Sequence, residues 1–338
     1  MRICCLLFLH VTVLLSSLTD ILKADSVMGN WSGKWIHNSG EEGKLEVQLI
    51  DWGNNHYDAI FTCHFPENKV TVHQAINSKP ENNRLTVSGK MDLGAEAGGE
   101  YQWKGVIAQR TFSGTYVGQL YSGRFSMVPE KIKSPTLGLR APPGAVILFD
   151  GGRLDAWIHQ DSGKSATWKI RSPVAELVPK SGNIVSPQTF SNHKQHLEFR
   201  TPFMPEARGQ NRGNSGVYLQ GRYEVQILDS FGLDGKNNEC GGIYGQFAPR
   251  VNACLPPTEW QTYDIQFTAA KRDARKKITQ KAKMTVVHNG ILIHKDAVLK
   301  GVTTGSADAM EGIPGPLLLQ DHGNLVQFRN IWILPTTD

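Results

Sequence analysis

Glu224, Gln226 and Asp229 stand close together in RGNSGVYLQGRYEVQILDSFG, the stretch from Arg212 to Gly232. Carboxylates can take or give protons and amides can hold hydroxyls, so these types suit acid–base chemistry on a hydroxylated ligand. Successive residues of a strand point to opposite faces. In GVYLQ, Val217 and Leu219 therefore oppose Tyr218 and Gln220, and in RYEVQI, Val225 and Ile227 oppose Glu224 and Gln226. Glu224 is the first candidate for a general base or metal ligand, and Gln226 for binding sugar hydroxyls; both also fit the wet side of an ordinary strand. Asp229 has the other parity and reaches the same rim only if the strand ends before SFGLDG, where it can equally cap a turn.

Other segments offer partners. QDHG, Gln320 to Gly323, puts an amide, a carboxylate and an imidazole at a strand end. His322 is the candidate histidine for acid–base work or as a ligand, since imidazole is the side chain type suited to proton transfer near neutral pH, with backbone bonding in a turn as its structural alternative; Gln320 shares its parity. In HLEFR, Glu198 lies with His196 and Arg200 opposite Leu197 and Phe199, and in VQFRNIWI, Gln327 and Arg329 oppose Val326 and Phe328. If these strands are neighbours, their polar faces build one concavity. Asn214 and Tyr218 can donate and accept toward a sugar ring, and Trp260 can stack on one or be buried. NRGNSG, Asn211 to Gly216, lacks the Gly-Lys-Ser/Thr ending of a phosphate loop and leads into a strand. Asn289-Gly290 signals a two-residue hairpin that pairs His288 with Ile291 and His294 with Thr285, placing the imidazoles on opposite faces. No GxSxG elbow, HExxH or Cys-x-x-Cys pair occurs, and no metal ligand set is assigned.

The elements that must position these residues are short strands. From Trp31 to Pro129, KLEVQLI, HYDAIFTCHF, NRLTVSGKM, EYQWKGVIAQ and TFSGTYVGQLYSGRFSMV alternate between turns, which predicts a small antiparallel β domain over residues 25–130. EKIKSPTLGLRAPPGA, Glu130 to Ala145, is Pro- and Gly-rich and aperiodic, as a linker over 131–144 would be. Beyond it, VILFDGG, WKI, HLEFR, GVYLQ, RYEVQI, WQTYDIQFTA, MTVVH, ILIHK, PLLLQ and VQFRNIWIL predict an all-β, two-sheet sandwich over 145–338.

The chain has 338 residues, enough for two domains. Arg2 followed by an apolar run from Ile3 to Leu18, with Ala24 as a cleavage position, reads as a signal peptide over residues 1–24. The run is shorter than the roughly 20 residues that span a bilayer, so a secreted or periplasmic protein without a transmembrane segment is expected. Cys63, Cys240 and Cys254 would remain, an odd number; Cys240 and Cys254 flank a Gly-rich loop and can pair or stay free. The net charge of +5 is concentrated in KRDARKKITQKAK, Lys271 to Lys283. Without interleaved aromatics this reads as a solvated hairpin tip rather than a surface for an anionic partner such as a polysaccharide or a membrane, and no nucleic-acid partner is expected.

VILFDGGRLDAWIH, the Arg212–Gly232 stretch, CGGIYG, EWQTYDIQF, VVHNGILIH and GPLLLQDHGNLVQFRNIWI occur in the order and spacing of the 3-keto-disaccharide hydrolase domain, which residues 145–335 resemble. The resemblance implies a concanavalin-like jelly-roll sandwich acting on glycosides already oxidised to a ketone at sugar carbon 3. That ketone acidifies the hydrogen on carbon 2, so a base can expel the aglycone from carbon 1 by elimination, after which water adds. With that chemistry, the residue readings above make Glu224, His322 and Asp229 the catalytic candidates and Glu198, Arg200, Asn214, Tyr218, Gln226, Gln320 and Arg329 the substrate-binding ones. Elimination needs no redox cofactor; a divalent metal is left unassigned, and another enzyme, an upstream sugar oxidoreductase, makes the ketone. A non-catalytic lectin-like module and an extracellular adhesion protein are the alternatives, since fold alone does not select chemistry.

Overall fold

The computed structural model describes residues 27–337, so the apolar run Ile3–Leu18 and Ala24 lie outside the described residues. Eight strands, β1 (Gly29–His37), β2 (Glu42–Asp51), β3 (His56–His64), β4 (Lys69–Asn77), β5 (Leu85–Asp92), β6 (Glu100–Ala108), β7 (Thr111–Gly118) and β8 (Ser122–Glu130), form one antiparallel sheet in the order β4-β3-β2-β1-β8-β7-β6-β5. Because β1 pairs with both β2 and β8, the meander curls until its edges meet, with Ser78 Oγ donating to Thr86 O across the seam from β4 to β5. Its interior packs Trp31, Val47, Phe61, Trp103 and Phe112. The sequence reading passes over β4, in which only Ile76 is buried. TFSGTYVGQLYSGRFSMV is the hairpin of β7 and β8.

The remaining strands are β9 (Val146–Phe149), β10 (Ile158–His159), β11 (Lys169–Arg171), β12 (Val174–Glu176), β13 (Ile184–Phe190), β14 (His193–Arg200), β15 (Ser215–Leu219), β16 (Tyr223–Ile227), β17 (Gln261–Thr268), β18 (Lys271–Arg272), β19 (Ile278–Gln280), β20 (Lys283–His288), β21 (Ile291–Val298), β22 (Gly315–Leu319) and β23 (Gln327–Pro335). One sheet runs β10-β13-β22-β15-β16; the other runs β11-β12-β23-β14-β17-β20-β21, with β9 on β23. All their pairings are antiparallel. They face each other across a core that takes Leu197 and Phe199 from one sheet and Val217, Val225 and Ile227 from the other. This is a β-sandwich, held mainly by apolar burial at about 1.5–3 kcal/mol per large side chain. The basic stretch forms the small β18–β19 hairpin.

Residues 131–144 are not slack chain. They lie on the outer face of the larger sheet: Thr136 Oγ1 donates to Asp264 at 2.6 Å, Gly138 N to Glu198 Oε1 at 2.6 Å, and Asn330 and Trp332 donate to Leu139 O. A second contact joins meander and sandwich at the β2–β3 turn. The Arg208 and Arg212 guanidiniums stand 4.6 and 4.5 Å from the Trp52 ring centre, and Ile50 and Ile60 pack on Phe231.

Candidate functional site

The parity assigned to β15 and β16 holds: Val217, Leu219, Val225 and Ile227 are core residues. The opposite face is not wet, however. Tyr218, Glu224 and Gln226 are 1, 2 and 1 % exposed. Tyr218 and Glu224 are covered by the chain from Gly301 to Pro314, pinned along the β15–β16 turn, and Gln226 by Gln210. Thr303 N donates to Arg222 O, Ala307 N to Gly221 O, Arg222 Nε pairs with Asp308 at 2.5 Å, and Tyr223 Oη donates to Glu311 at 2.7 Å. Thr303 Oγ1 accepts from Glu224 N at 2.9 Å and donates to Arg222 O at 3.0 Å.

Tyr218 and Glu224 are direct cross-strand partners. Gly216 makes their arrangement possible, because a Cβ there would stand 2.3 Å from Glu224 Oε1. The carboxyl therefore lies across β15 toward β22, beside the Tyr218 hydroxyl. That hydroxyl accepts from Gln320 Nε2 at 3.0 Å and lies 3.2 Å from Thr304 O. Burial pushes the Glu224 pKa up to about 8, with its bond to Tyr218 opposing the shift; burial also raises the Tyr218 pKa. Beside them runs a row of amides: Gln226 Nε2 donates to Gln210 Oε1 at 2.9 Å, and Asn214 Nδ2 to Gln210 O at 2.7 Å. The buried oxygens Asn214 Oδ1 and Gln320 Oε1 find no donor among the described residues. Such acceptors are costly unless something supplies hydroxyl or amide hydrogens.

The structure thus gathers Glu224, Tyr218, Gln226, Gln320 and Asn214 on one face of the smaller sheet. It does not bring the other candidates there. Glu198, Arg200 and Arg329 lie on the outer face of the larger sheet, with the whole core between them and Glu224. The alternation of β14 and β23 assigned their parity correctly, but these two strands and β16 belong to different sheets. Glu198 is 1 % exposed and accepts from Arg329 Nε at 2.6 Å and from Gly138 N. Burial opposes its charge, but bonds from His196, Asn330, Gly138 and Arg329 more than offset that and hold its pKa at about 2. Arg200 and Arg329 flank the Trp260 ring at 4.8 and 4.0 Å, and Arg200 and Trp260 border a cleft of about 570 Å³ between meander and sandwich.

Asp229 does not join Glu224 either; it is 2 % exposed and held by Arg212 Nε at 2.7 Å. His322 is exposed in the turn after β22, where Asp321 accepts from Gly182 N and Gly323 N instead of facing the site. His288 pairs with Ile291 as the Asn289-Gly290 turn requires, but a bulge sets His294 against Val286 rather than Thr285. Opposed residues share a face, so the two imidazoles fall on the same side, not on opposite ones. Each has a structural partner: His288 Nε2 contacts Gln261 Oε1 and His294 Nε2 contacts Gly241 O. Cys240 and Cys254 are free, buried thiols within reach of each other. Among the described residues, no group of three or more His, Cys, Asp and Glu is arranged to hold a metal ion.

Sequence reasoning missed Gln210, Thr303, Thr304 and Gly305. They come from irregular chain with no alternation to read. Gly305, at φ +78°, is the one signal, since a Cβ there would stand 2.7 Å from Tyr218 Oη.

A solved structure of a candidate glycosyl hydrolase from Parabacteroides distasonis ATCC 8503 is similar at 35% identity and a TM-score of 0.54, covering 58% of this chain and 85% of that one. A second such structure from the same organism matches at 19% identity and a TM-score of 0.43, over 57% of this chain and 95% of that one. No curated protein matches. The family model of the 3-keto-alpha-glucoside-1,2-lyase-like domain matches residues 144–334, which contain every strand of the sandwich except the end of β23 and all of the Glu224 face. The chain belongs to the 3-keto-alpha-glucoside-1,2-lyase-like domain family.

Proposed function

We propose that this protein is an exported carbohydrate-active enzyme that cleaves 3-keto-glycosides, with residues 145–338 as a concanavalin-like jelly-roll catalytic domain and 25–130 as an accessory one. The observation that carries this reading is a buried carboxyl at Glu224 with its pKa near 8, beside a phenol and two unpaired amide oxygens. A carboxyl of that pKa is a strong base that is still partly ionised at neutral pH. Family membership and the 35%-identical candidate glycosyl hydrolase support a glycosidase-type activity.

In this mechanism the Glu224 carboxylate takes the proton from sugar carbon 2. The electrons form the carbon 1–carbon 2 double bond as the aglycone leaves carbon 1, and Glu224 returns its proton to the leaving oxygen. Tyr218, kept neutral by burial, donates to the ketone oxygen as charge develops there. Asn214 and Gln320 accept from sugar hydroxyls, and Gln226 holds Gln210 in place beside Asn214. Water then adds its oxygen to carbon 1 and a proton to carbon 2, yielding the free 3-keto sugar. The substrate must be supplied by an enzyme that oxidises the 3-hydroxyl, so an upstream sugar oxidoreductase is the expected partner. No step here is routed through a metal.

The test is release of p-nitrophenol from p-nitrophenyl 3-keto-glucoside. Wild type should release it, and Glu224→Gln should lower kcat/KM by at least a thousandfold while remaining folded by circular dichroism. Saturable sugar binding without release, indifferent to Glu224→Gln, would overturn the enzymatic reading in favour of a lectin-like module.

A further inference from the structure

The chemistry above does not use the cleft of about 570 Å³ between meander and sandwich. Its size falls within the roughly 300–1,000 Å³ of small-molecule sites. On the sandwich side the cleft is bordered by Arg200, the last residue of β14, which pairs in register with Gln327 of β23. Arg200 Nε donates to Gln327 Oε1, and Gln327 Nε2 in turn donates to Glu176 Oε2. A neutral amide therefore holds the guanidinium where a carboxylate would ordinarily neutralise it. Arg200 Nη1 reaches only Thr258 O, at 3.4 Å. The acids nearest in charge, Glu176 and Glu259, pair with Arg171 and Lys131 instead, and Arg329 is paired with Glu198. Burial, and then the Arg329 charge, lower the Arg200 pKa, as expected of a cation short of compensation.

A second unpaired guanidinium comes from the meander. The β6–β7 turn is Gln109-Arg110, with φ +50° and +60°. Such a left-handed pair suits Gly, which has no Cβ to clash, and Asn, whose short side chain bonds locally. Every other left-handed residue among the described residues of the meander is a Gly or an Asn. Arg110 is exposed, lines the cleft, and its side chain has no partner among the described residues. Backbone strain of this kind clusters at functional sites.

The remaining lining sets the charge and polarity of a ligand. Three cations, Arg110, Lys131 and Arg200, stand against two carboxylates, Glu130 and Glu259, a surplus of one. The lining thus suits one anionic group and opposes a polyanion. Asn30, Glu130 and Glu259 offer acceptors for hydroxyls, while Phe203 and Trp260 offer apolar surface. We propose that this cleft is a second binding site, for a saccharide carrying a single carboxylate, a uronic acid unit, with Arg200 and Arg110 as its anchors. Arg200 is pre-oriented by Gln327, so little ordering is needed for its guanidinium to meet the carboxylate. The site is independent of the Glu224 chemistry.

Calorimetric titration of the full chain with cellobiouronic acid, cellobiose and acetate tests this. The two sugars differ only by the carboxylate, and acetate carries the carboxylate without the sugar. Cellobiouronic acid should bind saturably, cellobiose roughly tenfold or more weakly because a charge-assisted bond is lost, and acetate not detectably. Arg200→Gln should lower the acid to the affinity of cellobiose. Arg110→Gly should weaken the acid about tenfold without lowering the melting temperature, because glycine accepts the left-handed turn. No binding of cellobiouronic acid to wild type, equal affinity for the acid and cellobiose, equal affinity for the acid and acetate, or affinity unchanged in Arg200→Gln would overturn the proposal. The first three comparisons need no variant, and none depends on p-nitrophenol release, so this site and the Glu224 reading fail separately.

Discussion

Glu224 and Asp229 are both buried carboxyls, yet their partners give them opposite roles. Asp229 faces a guanidinium, so Asp229→Asn strands a buried Arg212 charge and should cost about 3–5 kcal/mol in chemical denaturation, with catalysis retained in the molecules that remain folded. Glu224 faces a phenol and no cation. Its folded pKa, about 8, lies above the ordinary glutamate value of 4.5, so the neutral form is the one that folding favours. Its contribution to stability is therefore complete below pH 4.5 and is lost as pH rises through about 8. Catalysis should run the other way. A base must be ionised, so kcat/KM should rise toward pH 8 and then level, and a pH–rate profile that instead falls above pH 8 would make Glu224 the acid.

The elements decide whether such a group can act. Gly216 in β15 is where the Glu224 carboxyl crosses the neighbouring strand, so Gly216→Ala must push it aside. Displacements on the order of 1 Å cost about a hundredfold in rate, and that loss in kcat is expected without global unfolding, as measured by aglycone release alongside a thermal melt. Strand alternation is strong in β15 and β16, and the core and outward sets were both legible there. It cannot register a bulge, which is why His294 moved to the face of His288, nor an irregular cover, which is why Thr303 and Thr304 were invisible.

At the scale of the molecule, meander and sandwich meet through Trp52, stacked by Arg208 and Arg212, and through residues 131–144 laid over Glu198. Trp52→Ala removes the stacked ring but leaves each core whole. A single calorimetric unfolding transition in wild type should then separate into two, whereas one unchanged transition would mean that the segment 131–144 and the Ile50–Ile60–Phe231 contact carry the coupling without the stacked ring.

Composition, turn residues and period-two alternation were enough to determine an all-β chain, its core-facing residues and the outward set that includes Glu224, because those depend on local geometry. Which outward residues share a site depended on sheet membership. Glu198, Arg200 and Arg329 carry the right chemistry on the right parity, but their strands pair into the sheet on the far side of the core from β16. Pairing between distant strands and the covering of one face by irregular chain are non-local, so only the tertiary structure could separate the buried Glu224 face from the Glu198 ion pairs.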